Sequence, residues 1–286
     1  MTPSHYVDIH PHIISTDDIQ YPRSPLFGVQ SEWSRERPMT IEGYVAEMDT
    51  AGVQKAAIVQ ASTCYGYDNS YLADSIGKYP GRLTAVGTVD LLQADAPERI
   101  RHWVTRGVTG LRLFTGGSTK AIDPSSLDDP RSFPAWERCS EAGLSICLQT
   151  DPTGLAQVAG LAKRFPKVKI ILDHMGRPDL SDGAPYKKAS SLFGLQPFEN
   201  IHFKLTPRTV AKARSEPATP ETFFPRLVEV FGRHRIAWGS NLPASPGPLS
   251  ATLAEAKESL KCLSAEDQEW IFAKTAQTLY PSLANS

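Results

Sequence analysis

Short apolar runs alternate with longer amphipathic stretches along almost the whole chain, and this alternation constrains the fold more than any other feature. The runs are rich in β-branched residues, which is typical of parallel strands buried between crossover helices. Eight strands are predicted, at residues 6–9, 56–60, 83–89, 109–114, 144–148, 168–173, 201–205 and 236–238. Eight such strands with helices between them predict an α/β fold, a (β/α)₈ TIM barrel.

The stretches between the runs predict helices and two long loops. One helix is expected to open at Thr40, and others are expected at residues 96–106, 130–142, 154–165, 220–231, 249–260 and 265–280. Residues 13–39 carry several aromatic side chains, in which disordered segments are poor, so this first βα loop is predicted to cover an active site. A second loop is predicted at residues 207–220. No internal boundary is visible, so residues 1–286 are predicted to form a single domain.

Charge and cysteine content exclude several classes of function. The chain has 30 Lys and Arg against 31 Asp and Glu, without a dense basic run, so no nucleic-acid partner is expected. The four cysteines are widely spaced and form no C-x-x-C pair, which disfavours a zinc knuckle or disulfide framework and favours a reducing cytoplasm. The sequence shows neither a signal-peptide pattern nor an apolar stretch of the ~20 residues that a bilayer requires. A cytoplasmic protein without membrane contact is therefore predicted.

A pair of histidines, His10 and His12, follows the first predicted strand. Because side chains alternate along a strand, both imidazoles should lie on one face, where they suit a shared metal or an anionic substrate. Asp8 has the same parity and is predicted to orient a histidine from behind. The alternative is that these are two unrelated loop histidines.

Another histidine, His174, ends the sixth predicted strand. It shares parity with the apolar Ile170 and Leu172 and is therefore expected to face into the barrel. A single histidine at such a position is more often structural. His174 is a candidate site residue because it ends a strand of the same barrel as His10 and His12.

Cationic side chains lie on two strands that are otherwise apolar. Arg112, near the end of the fourth strand, is costly to bury alone, and its planar fork matches a carboxylate; the alternative is a structural pair with an internal acid. Lys204, on the seventh strand, could bind a substrate carboxylate, polarise a carbonyl, or act as a base or nucleophile. Arg208 follows just beyond that strand.

These segments together resemble the amidohydrolase superfamily, in the amidohydrolase-related branch that includes 2-pyrone-4,6-dicarboxylate hydrolase and sugar lactonases. The matching pieces are DIHPH, IVQAS with YGYDN, GVTGLRL, ILDHMGRP, HFKLT and WGSN, in this order along most of the chain. The resemblance implies a TIM-barrel hydrolase in which water attacks a lactone carbonyl. The residues implied for catalysis are His10, His12, His174 and Asn241. Those implied for substrate binding are Ser62, Tyr67, Arg112, Gln149, Lys204 and Arg208.

One departure from the family pattern concerns the residue that takes a proton from the attacking water. Members of the family usually end the eighth strand in G-S-D, whereas this chain has Asn241, and an amide cannot take a proton from water. General-base duty would then pass to His174 or His12. A divalent ion such as Zn²⁺ or Mn²⁺, if present, would use His10, His12 and His174. No cofactor is favoured, because a branch of the family is thought to work without metal and this chain has lost a carboxylate.

The function predicted from these residues is hydrolysis of a lactone or similar cyclic ester. The substrate would be a small anionic ring compound, a carboxylate-bearing intermediate in the catabolism of an aromatic-derived or sugar-derived acid. Two alternatives stay open: a lyase or isomerase acting on the same barrel, and a catalytically inactive barrel that only binds a ligand. The oligomeric state, including a homo-oligomer, is also left open by the sequence.

Overall fold

The computed structural model describes residues 5–284, and its centre is one parallel sheet of eight strands. The strands pair in sequence order from β1 to β8, and the Ile9 N–H donates to the Trp238 carbonyl at 3.3 Å, which joins the two ends of the sheet. They are β1 Val7–Asp8, β2 Lys55–Val59, β3 Leu83–Gly87, β4 Val108–Phe114, β5 Ser145–Gln149, β6 Ile170–Leu172, β7 Ile201–Leu205 and β8 Ile236–Trp238. The predicted (β/α)₈ barrel is confirmed.

Helices connect the strands and cover the outside of the barrel. They are α1 Glu32–Glu36, α2 Ile41–Ala51, α3 Ser62–Tyr65, α4 Ser70–Gly77, α5 Ala96–Thr105, α6 Phe133–Ala142, α7 Leu155–Arg164, α8 Ser190–Phe193, α9 Pro207–Ala213, α10 Pro220–Phe231, α11 Leu249–Ser259, α12 Ala265–Glu269 and α13 Thr275–Leu279. A π-helical turn, Trp270–Lys274, joins the last two.

The prediction of a loop over residues 207–220 is wrong for its first half, which is helix α9. Pro207 occupies the first turn of this helix, where a missing N–H costs nothing and the fixed φ of proline suits the helix. Helix α4 was not predicted either, although its Tyr71, Leu72 and Ile76 pack into the core.

The C-terminal segment closes the bottom of the barrel. Leu279 and Tyr280 belong to the same apolar cluster as the inward-facing side chains of the strands, among them Val59 and Cys147. The Ser145 hydroxyl donates to the Leu279 carbonyl at 2.9 Å, so the plug is also fixed by a hydrogen bond. Only the end formed by the carboxyl termini of the strands is therefore left for chemistry.

The first βα loop, residues 13–39, is tied down at its neck and along its length. The Ile14 N–H donates to the Met39 carbonyl at 2.7 Å, and the Ser31 and Thr63 hydroxyls lie 2.7 Å apart. Within residues 5–284, no helix combines the length and apolarity needed to cross a membrane.

Candidate active site

A small cavity of about 40 Å³ lies at the carboxyl end of the barrel; we call it the reaction cavity. Seven of the ten predicted site residues line it: His12, Ser62, Arg112, Gln149, His174, Arg208 and Asn241. Trp33 and Arg177, which the sequence did not single out, also line it. Trp33 comes from the first βα loop, and its ring centroid lies 5.4 Å from that of His12.

Two other predicted residues, His10 and Lys204, lie beneath the reaction cavity and are fully buried. The His10 ring centroid is 5.1 Å from that of His12 and 5.0 Å from that of His174. The Lys204 ammonium lies 3.0 Å from Oδ1 of Asp173, so its charge is committed to an internal carboxylate. Lys204 therefore does not reach a substrate, contrary to one of its predicted roles.

Asp173 is the centre of a buried charge cluster that consists of His10, Arg112, Asp173 and Lys204. Its Oδ2 accepts from Arg112 Nε at 2.8 Å, and its Oδ1 lies 3.4 Å from His10 Nδ1. Burial alone would raise the pKa of the Asp173 carboxyl, but Lys204, His10 and Arg112 hold it well below its usual value. Arg112 therefore pairs with an internal acid, as the structural alternative predicted, through the Nε side of its guanidinium.

The parity argument for the sixth strand was wrong. Ile170 and Leu172 face the helices, whereas Ile171 faces the barrel interior, so the next inward residue is Asp173. His174 still reaches the mouth because β6 ends at Leu172 and His174 adopts a left-handed conformation, with φ of 53°. The turn, and not the alternation, therefore orients this imidazole.

Asp8 also differs from its prediction. Its Oδ1 accepts from the backbone N–H groups of His10 at 3.0 Å and Ser240 at 2.8 Å, and its Oδ2 accepts from the Tyr44 hydroxyl at 2.9 Å. It therefore contacts no imidazole ring; it fixes the backbone that carries His10 and Asn241. Gly239 allows this close approach, since a Cβ there would lie 2.6 Å from the His10 Cβ.

The two imidazoles in the reaction cavity are held in a neutral state. His12 Nδ1 lies 2.8 Å from the Val59 carbonyl, which can only accept, so Nδ1 carries the proton and Nε2 keeps its lone pair. Burial and the nearby Arg112 lower the pKa of His12 to about 3. His174 Nδ1 lies 2.8 Å from the Thr206 hydroxyl, and burial, reinforced by Arg208, holds its pKa well below the usual value.

Asn241 lies beside these imidazoles in a left-handed conformation, with φ of 57°, which asparagine tolerates better than most residues. Its amide Nδ2 donates to the Ser245 hydroxyl at 2.9 Å. This bond leaves the amide oxygen, an acceptor, for water or substrate.

Arg177 and Arg208, which we call the mouth arginines, have no carboxylate partner within residues 5–284. They line the reaction cavity together and also a neighbouring cavity of about 230 Å³ that includes Lys212. Burial, and next the repulsion from Arg208, lower the pKa of Arg177, whose Nε has no hydrogen-bond partner among the described residues. Two unpaired guanidinium groups side by side are the arrangement that a carboxylate substrate would satisfy.

The remaining predicted residues have clear contacts. The Ser62 hydroxyl lies 3.0 Å from that of Thr88, and Gln149 Oε1 accepts from an Arg112 Nη while its Nε2 donates to the Gly116 carbonyl at 2.9 Å. Tyr67 lies outside the reaction cavity and lines a larger cavity next to it.

The residues around the three histidines do not suit a divalent cation. Among residues 5–284, no group of three His, Cys, Asp or Glu side chains is arranged to hold a metal ion. The carboxylate nearest the imidazoles, Asp173, is already neutralised by Arg112 and Lys204, and the mouth arginines add positive charge. A cation placed here would meet more repulsion than attraction.

Comparisons with known proteins identify the family and the fold of this chain. The family model described as Amidohydrolase matches residues 7–282. An L-fucono-1,5-lactonase from Burkholderia ambifaria (strain ATCC BAA-244) is 26% identical over 246 residues, which cover 84% of this chain and 80% of the lactonase.

Two solved structures share the fold. One is a probable 2-pyrone-4,6-dicarboxylic acid hydrolase from Acinetobacter baumannii with citric acid bound, with a TM-score of 0.76, 18% identity, and coverage of 97% of this chain and 99% of that one. The other is an amidohydrolase from Burkholderia multivorans with bound zinc, with the same TM-score of 0.76, 18% identity, and coverage of 97% and 99%.

Proposed function

The chain belongs to the amidohydrolase family, and from that premise we propose that it hydrolyses a lactone that carries a carboxylate. The observation that carries this proposal is the pair of mouth arginines beside neutral imidazoles in one cavity. The lactonase from Burkholderia ambifaria and the probable dicarboxylic acid hydrolase from Acinetobacter baumannii support the reaction class.

In this proposal the mouth arginines bind the carboxylate of the substrate. A guanidinium donates two parallel N–H groups to a carboxylate, which sets the orientation of the ring as well as its affinity. Arg112 reaches the same cavity from below, where its remaining N–H groups stabilise the negative charge that develops on the carbonyl oxygen during attack.

His12 is the general base in this scheme. The Val59 carbonyl fixes its tautomer, so Nε2 is the one ring nitrogen that can accept a proton from water. The Asn241 amide oxygen accepts the second hydrogen bond of that water and aims it at the carbonyl carbon. His174 serves less well as base, because its partner is the Thr206 hydroxyl, which can donate or accept and does not set the tautomer.

The atoms of the reaction balance without a further reagent. The water oxygen bonds to the lactone carbon while one of its protons passes to His12 Nε2. The ring C–O bond then breaks, and the alkoxide that leaves takes that proton back from His12. The product is a hydroxy acid whose new carboxyl group releases the second proton to solvent.

A pKa of about 3 makes His12 a weak base in the free protein, and a bound carboxylate offsets the part of this lowering that positive charge causes, although not the larger part that burial causes. Arg112 is the main charge that lowers the pKa of His12 after burial. A bound carboxylate reduces the positive potential of the mouth and so raises the pKa of the imidazole toward its usual value. The base therefore gains strength when an anionic substrate is present.

We assign no step to a metal, because the positive side chains around the histidines oppose one. Zinc is present in the related structure from Burkholderia multivorans, so the proposal needs its own test. Metal analysis of the purified protein, together with turnover before and after dialysis against a chelator, is expected to show equal activity without bound metal. Loss of activity after chelation, with recovery on addition of zinc, would refute the proposal that no step depends on a metal.

Turnover of a lactone panel in ¹⁸O-labelled water tests the reaction class. Hydrolysis must place one solvent oxygen in the product carboxylate, whereas a decarboxylase, an eliminating lyase or an isomerase places none. A binding isotherm without any turnover would instead favour the catalytically inactive barrel. The cytoplasmic location and a homo-oligomeric state stay predictions that this experiment does not address.

A further inference from the structure

A second cavity, of about 250 Å³, adjoins the reaction cavity and is far larger; we call it the side cavity. Arg112 and Phe114 line both spaces, so the two cavities meet at the end of β4. A ring held by the mouth arginines over His12 would therefore have room on this side for an additional group.

About half of the wall of the side cavity is apolar, and this half includes three aromatic side chains. Phe27 from the first βα loop and Phe114 from β4 lie with their ring centroids 6.1 Å apart, and Tyr67, Leu91 and Leu127 also line the space. Aromatic side chains at this separation offer faces and edges to a further ring.

Two of these aromatic side chains are exposed although they are large and hydrophobic. Phe27 is 42% exposed and Tyr67 is 41% exposed. Within residues 5–284, only Ile19 and Val29 share this property, and both lie in the first βα loop. Exposed hydrophobic groups are usually scattered, so two of them facing one cavity indicate a ligand that covers them.

The charges of the side cavity differ from those of the mouth. Asp90 accepts from the Leu92 N–H at 3.1 Å, and Asp123 accepts from the Ser125 N–H at 3.0 Å, so both carboxylates are engaged in local turns. Lys120 lies over the Phe27 ring, 4.6 Å from its centroid. Asp90 and Asp123 balance Lys120 and Arg112 in the lining, so the side cavity, unlike the mouth, offers no surplus of positive charge to a second acidic group.

We propose that the substrate is a lactone carboxylate with a flat apolar substituent, an aryl group, that binds between Phe27, Tyr67 and Phe114. This inference rests on the proposed function, which supplies the lactone and its carboxylate. The carboxylate lies at the mouth arginines, the scissile ring lies over His12 at the entrance of the reaction cavity, and the aryl group fills the side cavity.

Two carboxylates that cannot be hydrolysed test the inference by binding alone. Isothermal titration calorimetry compares cyclopentanecarboxylate with 3-phenylcyclopentanecarboxylate on the full chain. The phenyl compound is expected to bind about tenfold tighter or better, because its ring is removed from water. In Phe27→Ser and in Tyr67→Ser, the ratio of the two affinities is expected to fall to about two.

Ile19→Ser is the matched control. Ile19 is 97% exposed and lies in the same loop as Phe27, but it lines none of the cavities described above, so the wild-type ratio is expected to persist. Thermal unfolding of each variant checks that the loop substitution leaves the fold intact.

Equal affinity of the two compounds for the wild type, absence of binding by the phenyl compound, or an unchanged ratio in both variants would overturn the inference. The result is separate from the fate of the proposed function. If the protein prefers the phenyl compound but opens no lactone, the aryl subsite is supported and the proposed hydrolysis is refuted. If it opens lactones without that preference, the hydrolysis is supported and the aryl subsite is refuted.

Discussion

The buried charge cluster and the mouth arginines lie at the same end of the barrel and treat charge in opposite ways. In the cluster, Asp173 contacts Arg112, Lys204 and His10, and every member is buried. In the mouth, Arg177 and Arg208 face a cavity with no carboxylate of residues 5–284 paired to either.

This contrast shows where the protein requires an anion. Charges that compensate one another within the protein need no ligand, and they position the backbone and side chains above them. Arg177 is half-buried without a carboxylate partner among residues 5–284, which is costly unless a ligand completes it, whereas Arg208 is exposed and free to contact an entering anion. One layer of the same barrel is therefore scaffold, and the next layer is a binding site.

Asp173→Asn should have the largest effect, because it removes the one anion of the buried charge cluster. Lys204 and Arg112 would then be buried without a charge partner, which costs about 3–5 kcal/mol in the free energy of unfolding. Urea unfolding monitored by circular dichroism measures the loss. Asp151→Asn, the same substitution in a turn near the mouth, is the control and should cost far less; equal losses would contradict the assignment.

His12→Gln should leave the fold intact and remove the general base. We expect kcat to fall by about 100-fold or more while KM changes little, because the mouth arginines still hold the carboxylate. The control is His202→Gln, since His202 is also buried but lies outside the reaction cavity. A larger loss for His174→Gln than for His12→Gln would reassign the base.

Acidification should destabilise the protein through its neutral buried histidines. The pKa of His12 is lowered to about 3 and that of His202 to about 4, both from a usual value of 6.5. Below pH 6.5 the unfolded chain binds protons that the folded chain does not, so stability falls as the pH falls toward these values. From pH 6.5 to pH 5 each histidine should cost about 2 kcal/mol.

Urea unfolding at pH 7 and at pH 5 checks this expectation. In His202→Gln, the difference in the free energy of unfolding between pH 7 and pH 5 should be smaller by the contribution of one histidine. The contribution of His12 should remain. A free energy of unfolding that stays constant over this range would show that the imidazoles are protonated at no cost.

Asn241→Asp should affect activity less than His12→Gln does. It would place a carboxylate among the cations of the mouth, as Asp173 is placed in the buried charge cluster. A carboxylate at position 241, in the cavity that the mouth arginines also line, partly neutralises the mouth, so KM for an anionic lactone is expected to rise about tenfold. Steady-state kinetics measures the change, and Asn241→Ser is the uncharged control. An unchanged KM in Asn241→Asp would argue that the mouth arginines do not select for anions.

The fold could be predicted from the sequence because each strand is a short apolar run with its own boundaries. Orientation at the ends of strands could not, since alternation stops where a strand stops. His174 illustrates this: it follows β6 through a left-handed turn, and only its position at a strand end was predictable.

The missed residue Asp173 left a signal in the sequence. The register pairs Ile171 with His202, so Asp173 falls beside Lys204 on the inward face, and two opposite charges on neighbouring apolar strands indicate a buried pair. Trp33 and Phe27 lie in the first βα loop, whose aromatic residues predicted an active-site cover, but the sequence did not indicate which of them reach the site. Arg177 left no signal, because the paths of loops depend on tertiary contacts.

The role of the mouth arginines can be measured as kcat/KM for a lactone carboxylate against its methyl ester, in the wild type and in the Arg177→Gln/Arg208→Gln variant. Unpaired mouth arginines predict that the wild type prefers the carboxylate by about 100-fold and that the variant loses the preference. Equal rates for acid and ester in the wild type, or a preference that survives in the variant, would contradict the account.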